Sequence, residues 1–409
     1  MEFITGLYLF VIIISIYLYS VLLLLLFKNR KELFNHSLSK DNLPSVSILI
    51  PAYNEEKTIA GTIQSVLNLD YPKDKKEIIV LDDGSKDDTA IIARSFKGIK
   101  VITKQNSGKA DSLNYGINIA KNEFIIVVDA DSYHERDALI KVINCFKEDP
   151  NIEAVTSAVR VKNQETLLGK LQFIEYTLIA WARKLLEFIN SVYVTPGPLS
   201  AYRKKTLQKL GGFDKNNLTE DIELAWRILR NNYRIKMCLS AKVYTVVPEK
   251  FSKWWHQRLR WDIGGLQTFS KHKDTLGKPR YGMLGVWVAP FYLSSFVLAL
   301  LGFLVAIYVV GRRLILKLLS SFYSITTESF ELQVKYLNLT PSIFTIFGVL
   351  LILIYLAYIT FGLKMMDPGK IPNHRKFTLV LYMFFYLILY PLVFIQSLYL
   401  FFTKKIIKW

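Results

Sequence analysis

The chain has 409 residues, with 52 Lys and Arg against 34 Asp and Glu, and is 51% hydrophobic and 14% aromatic. With a positive mean hydropathy, these values exclude a disordered tail, a collagen-like fibre and a disulfide-stapled mini-scaffold. Cys145 and Cys238 are its two cysteines. Neither belongs to a Cys-x-x-Cys or Cys/His cluster, so they are read as reduced core residues rather than a disulfide or zinc site.

Four stretches, 3–27, 281–311, 336–363 and 377–403, contain no Asp, Glu, Lys or Arg. Each exceeds the roughly 20 apolar residues that cross about 30 Å of hydrocarbon, so a membrane protein with about four spans is expected. The first is too long for a signal peptide, lacks a small-residue cleavage site and is followed by Lys28, Arg30 and Lys31. Those bases place the following block on the cytoplasmic side. The organisation expected is a span in 1–27, a cytoplasmic domain in 28–250, an amphipathic interface helix in 251–280 and a membrane region in 281–409. The third span then returns to a basic loop with Lys364, Lys370, Arg375 and Lys376. The fourth leaves Lys404, Lys405 and Lys408 outside, against the positive-inside tendency. Segment 312–335 mixes charges with apolar runs and suits the bilayer interface.

Within the block, β-branched runs at 46–50, 78–81, 100–103 and 124–128 alternate with helical patterns starting at Glu56, Asp88 and Gly108. This alternation predicts an α/β, Rossmann-like domain with a mainly parallel sheet buried on both faces. Ligands of such sheets bind beyond the carboxyl ends of the strands. Acidic loops stand at three of those ends: Pro51-Ala52-Tyr53-Asn54-Glu55, Asp82-Asp83-Gly84-Ser85 and Asp129-Ala130-Asp131. Singly, each is an ordinary turn. Together they repel one another unless a cation or a hydrogen-bonding ligand lies among them. Hard oxygen ligands beside a phosphate suit Mg²⁺ or Mn²⁺.

Asn106-Ser107-Gly108-Lys109-Ala110 opens a helix with small residues and a lysine, either a phosphate contact or a solvated helix start. Neither a P-loop nor a Gly-x-Gly-x-x-Gly pattern occurs. Thr219-Glu220-Asp221 also opens a helix, where acids favour the dipole and where Asp221 is placed to act as a general base. Asn217-Leu218-Thr219 matches a glycosylation acceptor, which a cytoplasmic location makes a false positive. In Trp254-Trp255-His256-Gln257-Arg258-Leu259-Arg260-Trp261, helical spacing puts Gln257, Arg260 and Trp261 on one face. That helix is expected in the interface, with its arginines toward a diphosphate and its tryptophan toward a sugar ring. His256 and His272 are read as surface or interface residues. The positive charge suits anionic headgroups or a phosphorylated substrate, and without a basic recognition helix no nucleic-acid partner is expected.

The ordered set PAYNE, DDGS, NSGKA, DAD, TED and QRLRW resembles membrane-embedded family 2 glycosyltransferases: cellulose, chitin, hyaluronan and poly-N-acetylglucosamine synthases. The nearest resemblance is to poly-β-1,6-N-acetylglucosamine synthases, through Thr219 to Glu223 and Gln257 to Trp261 followed by Gly264-Gly265. It covers about residues 45–266 and implies a GT-A-type glycosyltransferase fold. It further implies that Tyr53, Glu55 and Asp83, with Asp82 beside them, meet a uracil. Asp129 would contact the nucleotide, Asp131 the metal, and Lys109, Gln257, Arg258 and Arg260 the donor's phosphates. Asp221 would be the base with Glu220 supporting it, and Trp261, Gly197, Ser200 and Tyr202 would line the acceptor site.

The function so implied is inverting, Mg²⁺- or Mn²⁺-dependent transfer from a UDP-sugar, UDP-N-acetylglucosamine or UDP-glucose, to a growing β-linked glycan that passes through the membrane. A small accessory membrane subunit is a compatible partner, beside the lipid bilayer. Two other readings stay open: single-sugar transfer to a lipid phosphate or lipid-linked glycan, and a transporter or scaffold with a degenerate nucleotide-sugar domain. The single span before the catalytic block and the lack of a clear gating-loop motif set the chain apart from cellulose synthases.

Overall fold

The computed structural model describes residues 2–34, 39–326, 343–366 and 373–404. Positions 336–342 of the third apolar stretch, Lys370, Lys405 and Lys408 lie outside these residues. The first strand, β1 (Val46–Ala52), is buried along its whole length. Its alternate side chains serve two cores: Ile48 and Ile50 join one cluster, Leu49 the other. That is the period-two pattern of a strand covered on both faces.

The remaining strands are β2 (Lys76–Asp82), β3 (Lys100–Thr103), β4 (Phe124–Val127), β5 (Ser132–His134), β6 (Ile152–Val161), β7 (Ser200–Arg203) and β8 (Arg234–Thr245). They form one eight-stranded sheet in the order β3-β2-β1-β4-β7-β6-β8-β5. Strands β3, β2, β1 and β4 are mutually parallel, whereas β7 runs antiparallel to both β4 and β6. The carboxyl ends of β1, β2 and β4 therefore open on one edge, which the α/β reading requires.

The helices are α1 (Glu2–Asn29), α2 (Ile59–Leu67), α3 (Thr89–Arg94), α4 (Lys109–Ile119), α5 (Ala138–Cys145), α6 (Leu167–Glu187), α7 (Lys204–Lys209), α8 (Glu220–Arg230), α9 (Phe251–His272), α10 (Ala289–Thr326), α11 (Ile343–Met366) and α12 (Asn373–Thr403). Among the described residues four are long and apolar enough to cross a membrane, over Thr5–Asn29, Leu284–Tyr308, Ile346–Met366 and Phe377–Thr403. Helix α6 joins them to the sheet. Its Ile174, Leu178 and Trp181 share one core cluster with Leu26 of α1, Ile359 of α11 and Tyr382 of α12. Trp181 sits so close to α11 that a Cβ on Gly362 would lie 2.9 Å from its ring. Helix α9 is clasped by the loop before α8, where the Leu218 amide donates to Gln267 Oε1 at 2.9 Å and Asn217 Nδ2 to Thr268 Oγ1 at 2.9 Å. Both cysteines are buried and neither is in a disulfide.

Candidate active site

At the carboxyl edge of β1, β2 and β4 lies a cleft of about 230 Å³, lined by Tyr53, Glu55, Asp83, Lys109, Asp129 and Asp131 among others. The β1 loop is set by Asn54, whose left-handed φ of 55° is a conformation its short amide side chain tolerates. Asn54 Oδ1 accepts from the Lys86 amide at 2.8 Å and its own amide donates to Ser85 Oγ at 3.0 Å, tying the first two acidic loops together. Glu55 accepts from Thr58 Oγ1 at 2.6 Å. Burial first, then the neighbouring Asp129 and Asp87, raise its carboxyl above the usual range.

The two aspartates after β2 differ. Asp82 does not reach the cleft: it is buried and accepts from the Ser85 amide at 3.1 Å, closing the turn. Asp83 lines the cleft with both oxygens committed. It accepts from Lys104 Nζ at 2.7 Å, the Ser107 amide at 3.1 Å, Ser112 Oγ at 3.0 Å and the Gly108 amide at 2.8 Å. Its geometry is that of a clamp on the loop that opens α4, and Lys109 follows directly.

Lys109 is the junction of the site. Its Nζ lies 2.7 Å from Asp129 Oδ1 and 3.2 Å from Glu220 Oε1. Burial pulls the ammonium down, but Asp129, Glu220 and Asp221 together hold it well above its ordinary range. Asp129 is pressed against the 197–199 turn, where a Cβ on residue 197 would stand 2.3 Å from its Oδ1, so any side chain there would displace the carboxylate. Asp131 accepts from Thr245 Oγ1 at 3.3 Å. Burial, with Asp129 and Glu55 adding repulsion, pushes it up to about 7.

Asp221 stands at the start of α8, its Oδ1 accepting from the Ile222 amide at 2.9 Å. Burial, followed by the adjacent Glu220, raises it to about 7, against the pull of Lys109 and Arg260. A carboxylate poised near neutrality suits a general base. Gln257 and Arg260 line a second, wider cleft of about 480 Å³ with Ser252, Lys253 and His256. Arg260 is nonetheless within electrostatic reach of Asp221.

Three expected binding residues, and one histidine expected near the surface, turn out to be packed inside. Arg258 is 1% exposed. Its Nε donates to Glu175 Oε1 at 3.1 Å and to Tyr390 Oη at 3.1 Å, and its terminal nitrogens reach Glu175 Oε2 and Gln257 Oε1. Tyr386 Oη also donates to Glu175, at 2.7 Å. With all three of its nitrogens bonded inside a cage of α6, α9 and α12, Arg258 is held away from any donor phosphate. Ser200 is buried with its hydroxyl on Pro196 O at 2.7 Å, and Tyr202 is buried with its hydroxyl on Thr195 O at 3.2 Å. Both brace the turn behind the site rather than line it, because β7 is an interior strand. His272, expected near the surface, is buried with Nε2 3.2 Å from Glu223 Oε1. Trp261 lies beside Tyr176, ring centroids 6.2 Å apart, and the Arg258 guanidinium covers its ring at 4.1 Å. Glu175 was invisible to motif reading. Its signal is a lone acid inside the apolar run Leu171-Gln172-Phe173-Ile174-Glu175-Tyr176.

Residues 47–211 match Glycosyl transferase family 2. The chain carries a family 2 glycosyltransferase domain. It is 36% identical over 245 residues to the poly-β-1,6-N-acetyl-D-glucosamine synthase of Staphylococcus epidermidis, covering 58% of this chain and 59% of that protein. Against the synthase of the same name from Staphylococcus aureus, identity is 35% over 271 residues, covering 62% of this chain and 65% of that protein. The chain thus matches these curated relatives over about three fifths of their length. The glycosyltransferase fold is shared with a mannosyltransferase of Pyrobaculum calidifontis solved with GDP-mannose and Mn²⁺. There the TM-score is 0.55 at 20% identity, over 88% of this chain and 99% of that one. The resemblance drawn from the ordered motifs therefore holds for the domain.

Proposed function

We propose that the chain is an inverting glycosyltransferase of the membrane, moving a sugar, N-acetylglucosamine above all, from a UDP-sugar onto a growing β-linked glycan. The observation that carries this reading is Lys109, which bridges Asp129 in the cleft to Glu220, next to Asp221. It makes the acidic loops and the helix-tip aspartate one electrostatic unit. The Staphylococcus synthases supply the sugar class by similarity, the four apolar helices among the described residues support a membrane setting, and Lys28, Arg30 and Lys31 around the end of the first of them favour the sheet on the cytoplasmic side.

In this mechanism the nucleotide lies against Tyr53, Glu55 and Asp129. Asp221 takes the proton of an acceptor hydroxyl, whose oxygen bonds to the anomeric carbon from the side opposite the diphosphate. The bond from that carbon to the diphosphate oxygen breaks, and UDP leaves with both electrons. Arg260 and Lys109 face the departing charge, the form of electrostatic help that dominates such reactions.

The residues present fit a divalent cation. The half-buried Asp131 faces Asp129 and Glu55, accepts from the Ser132 and Thr245 hydroxyls, and has Lys109 as the cation within electrostatic reach. Among the described residues no three His, Cys, Asp or Glu side chains suffice to hold a metal alone, which is how Mg²⁺ behaves when substrate phosphates complete its shell. Asp131 would hold the ion, which would supply charge neutralisation on the diphosphate.

The test is Asp221→Asn. Transfer from labelled UDP-N-acetylglucosamine should fall by about 10²–10⁴-fold, the usual worth of a general base, while UDP still binds. Retained turnover removes Asp221 from the mechanism. Sizing the wild-type product decides processivity, because a single labelled sugar on lipid would refute the polymer reading.

A further inference from the structure

One charged side chain beside the site is used by nothing described so far. Arg183, in the last turns of α6, is 3% exposed. Among the described residues its hydrogen bonding amounts to one long contact, from a terminal nitrogen to Thr156 Oγ1 at 3.4 Å, and its buried Nε–H has no acceptor. Arg258, buried as deeply, has each of its three nitrogens bonded, to Glu175, Gln257 and Tyr390. Both arginines are buried within one protein, so the contrast needs a cause. A buried cation without a carboxylate is costly, commonly by several kcal/mol, unless something else meets it.

The neighbours of Arg183 indicate what does. Asp221, Tyr176 and Tyr193 are within electrostatic reach, and burial pulls the guanidinium down to about 10 despite them. Tyr176 lies against Trp261, centroids 6.2 Å apart, and Tyr193 against Tyr292 at 5.8 Å. Thr195 Oγ1 donates to the Asp221 carbonyl at 3.2 Å, joining the chain just after Tyr193 to the base. An unsatisfied planar fork among aromatic rings, beside a proton-accepting carboxylate, is complementary to a sugar ring, which offers flat C–H faces and paired oxygens.

We infer that Arg183 binds the terminal saccharide unit of the acceptor, donating from its guanidinium to ring oxygens and so fixing the attacking hydroxyl beside Asp221. The inference rests on the transfer reading for the class of acceptor and adds the residue that selects it. No motif of the sequence marks Arg183, because a lone arginine in an apolar helix reads as solvated until its burial is known.

The experiment measures acceptor binding without donor or turnover. The full chain, in lipid nanodiscs, is titrated with a β-1,6-linked N-acetylglucosamine tetrasaccharide while tryptophan fluorescence is followed. Arg183→Met should weaken binding about 10- to 100-fold, the effect of losing charged hydrogen bonds, and Arg183→Lys should weaken it less. Retained UDP affinity shows that a variant is folded. If Arg183→Met fails that check, Arg183→Lys decides by the same criterion. Equal affinity in wild type and folded variants overturns the inference. So does a wild type that ignores the tetrasaccharide, or one that instead binds a polyprenyl phosphate in the nanodisc through Arg183, which would make the guanidinium a lipid-phosphate site. Failure of every UDP-sugar to release UDP would sink the transfer reading, and the titration would still be decided on its own terms.

Discussion

Two of the cation–carboxylate centres among the described residues, around Lys109 and around Arg258, are built for opposite purposes. Around Lys109, side chains from the β4 loop and α8 meet at the cleft, with the lysine about one third exposed. Around Arg258, one acid and two tyrosines close a cage between α6, α9 and α12 with the ion pair wholly buried. The first leaves an open side where a ligand can exchange with the protein's own carboxylates. The second leaves none, so it holds α9 in place and contributes to chemistry only through the residues it positions. Neighbouring basic residues of one sequence motif, Arg258 and Arg260, have thus been divided between scaffold and site.

The contrast can be broken experimentally. Arg258→Met should lower stability by about 3–5 kcal/mol, because Glu175 is left charged and buried. Thermal unfolding in detergent reads this, and the double change Glu175→Leu with Arg258→Met should be milder than either single change. An unchanged melting temperature in the single variant would erase the distinction between the two centres. Lys109→Met should do the reverse: UDP affinity falls about 10- to 100-fold, as for a lost charged hydrogen bond, with melting little altered.

A finer probe uses the carboxylates. Because burial and Glu220 raise Asp221 to about 7, and the base must be ionised, kcat/KM should climb with pH and level off above about 7. Glu220→Gln removes the repelling neighbour, lowers the Asp221 pKa and should move that limb to lower pH. An unmoved limb would mean that another group sets it. The smallest effect is expected at Ser200→Ala, which loses the hydroxyl's contacts with Pro196 O and Thr156 Oγ1, worth about 0.5–1.5 kcal/mol for a hydrogen bond, and should leave the acceptor KM as it was.

These centres also mark how far the sequence could be read. Strands such as Val46–Ala52 and the carboxylates beyond them were legible, because period-two burial and acidic turns are local signals. The spans were legible from their missing charges. What failed was exposure: Arg258, Ser200 and Tyr202 have the right chemistry for ligand contact, and only the packing of α9 on α12 and the interior place of β7 bury them. His272 failed for the same reason. Glu175 and Arg183 were missed because their meaning arises from partners, present or lacking, far along the chain.

The cage has a consequence for synthesis on the ribosome. Tyr386 and Tyr390 follow Glu175 by 211 and 215 residues, so nascent α6 and α9 emerge long before their hydroxyl partners. Until α12 has inserted, the Glu175–Arg258 pair lacks its two tyrosine hydroxyls and α9 is held without them, by α6 and by the loop before α8. A chain arrested before that helix should therefore carry every loop of the cleft and still be unable to hold it in working order.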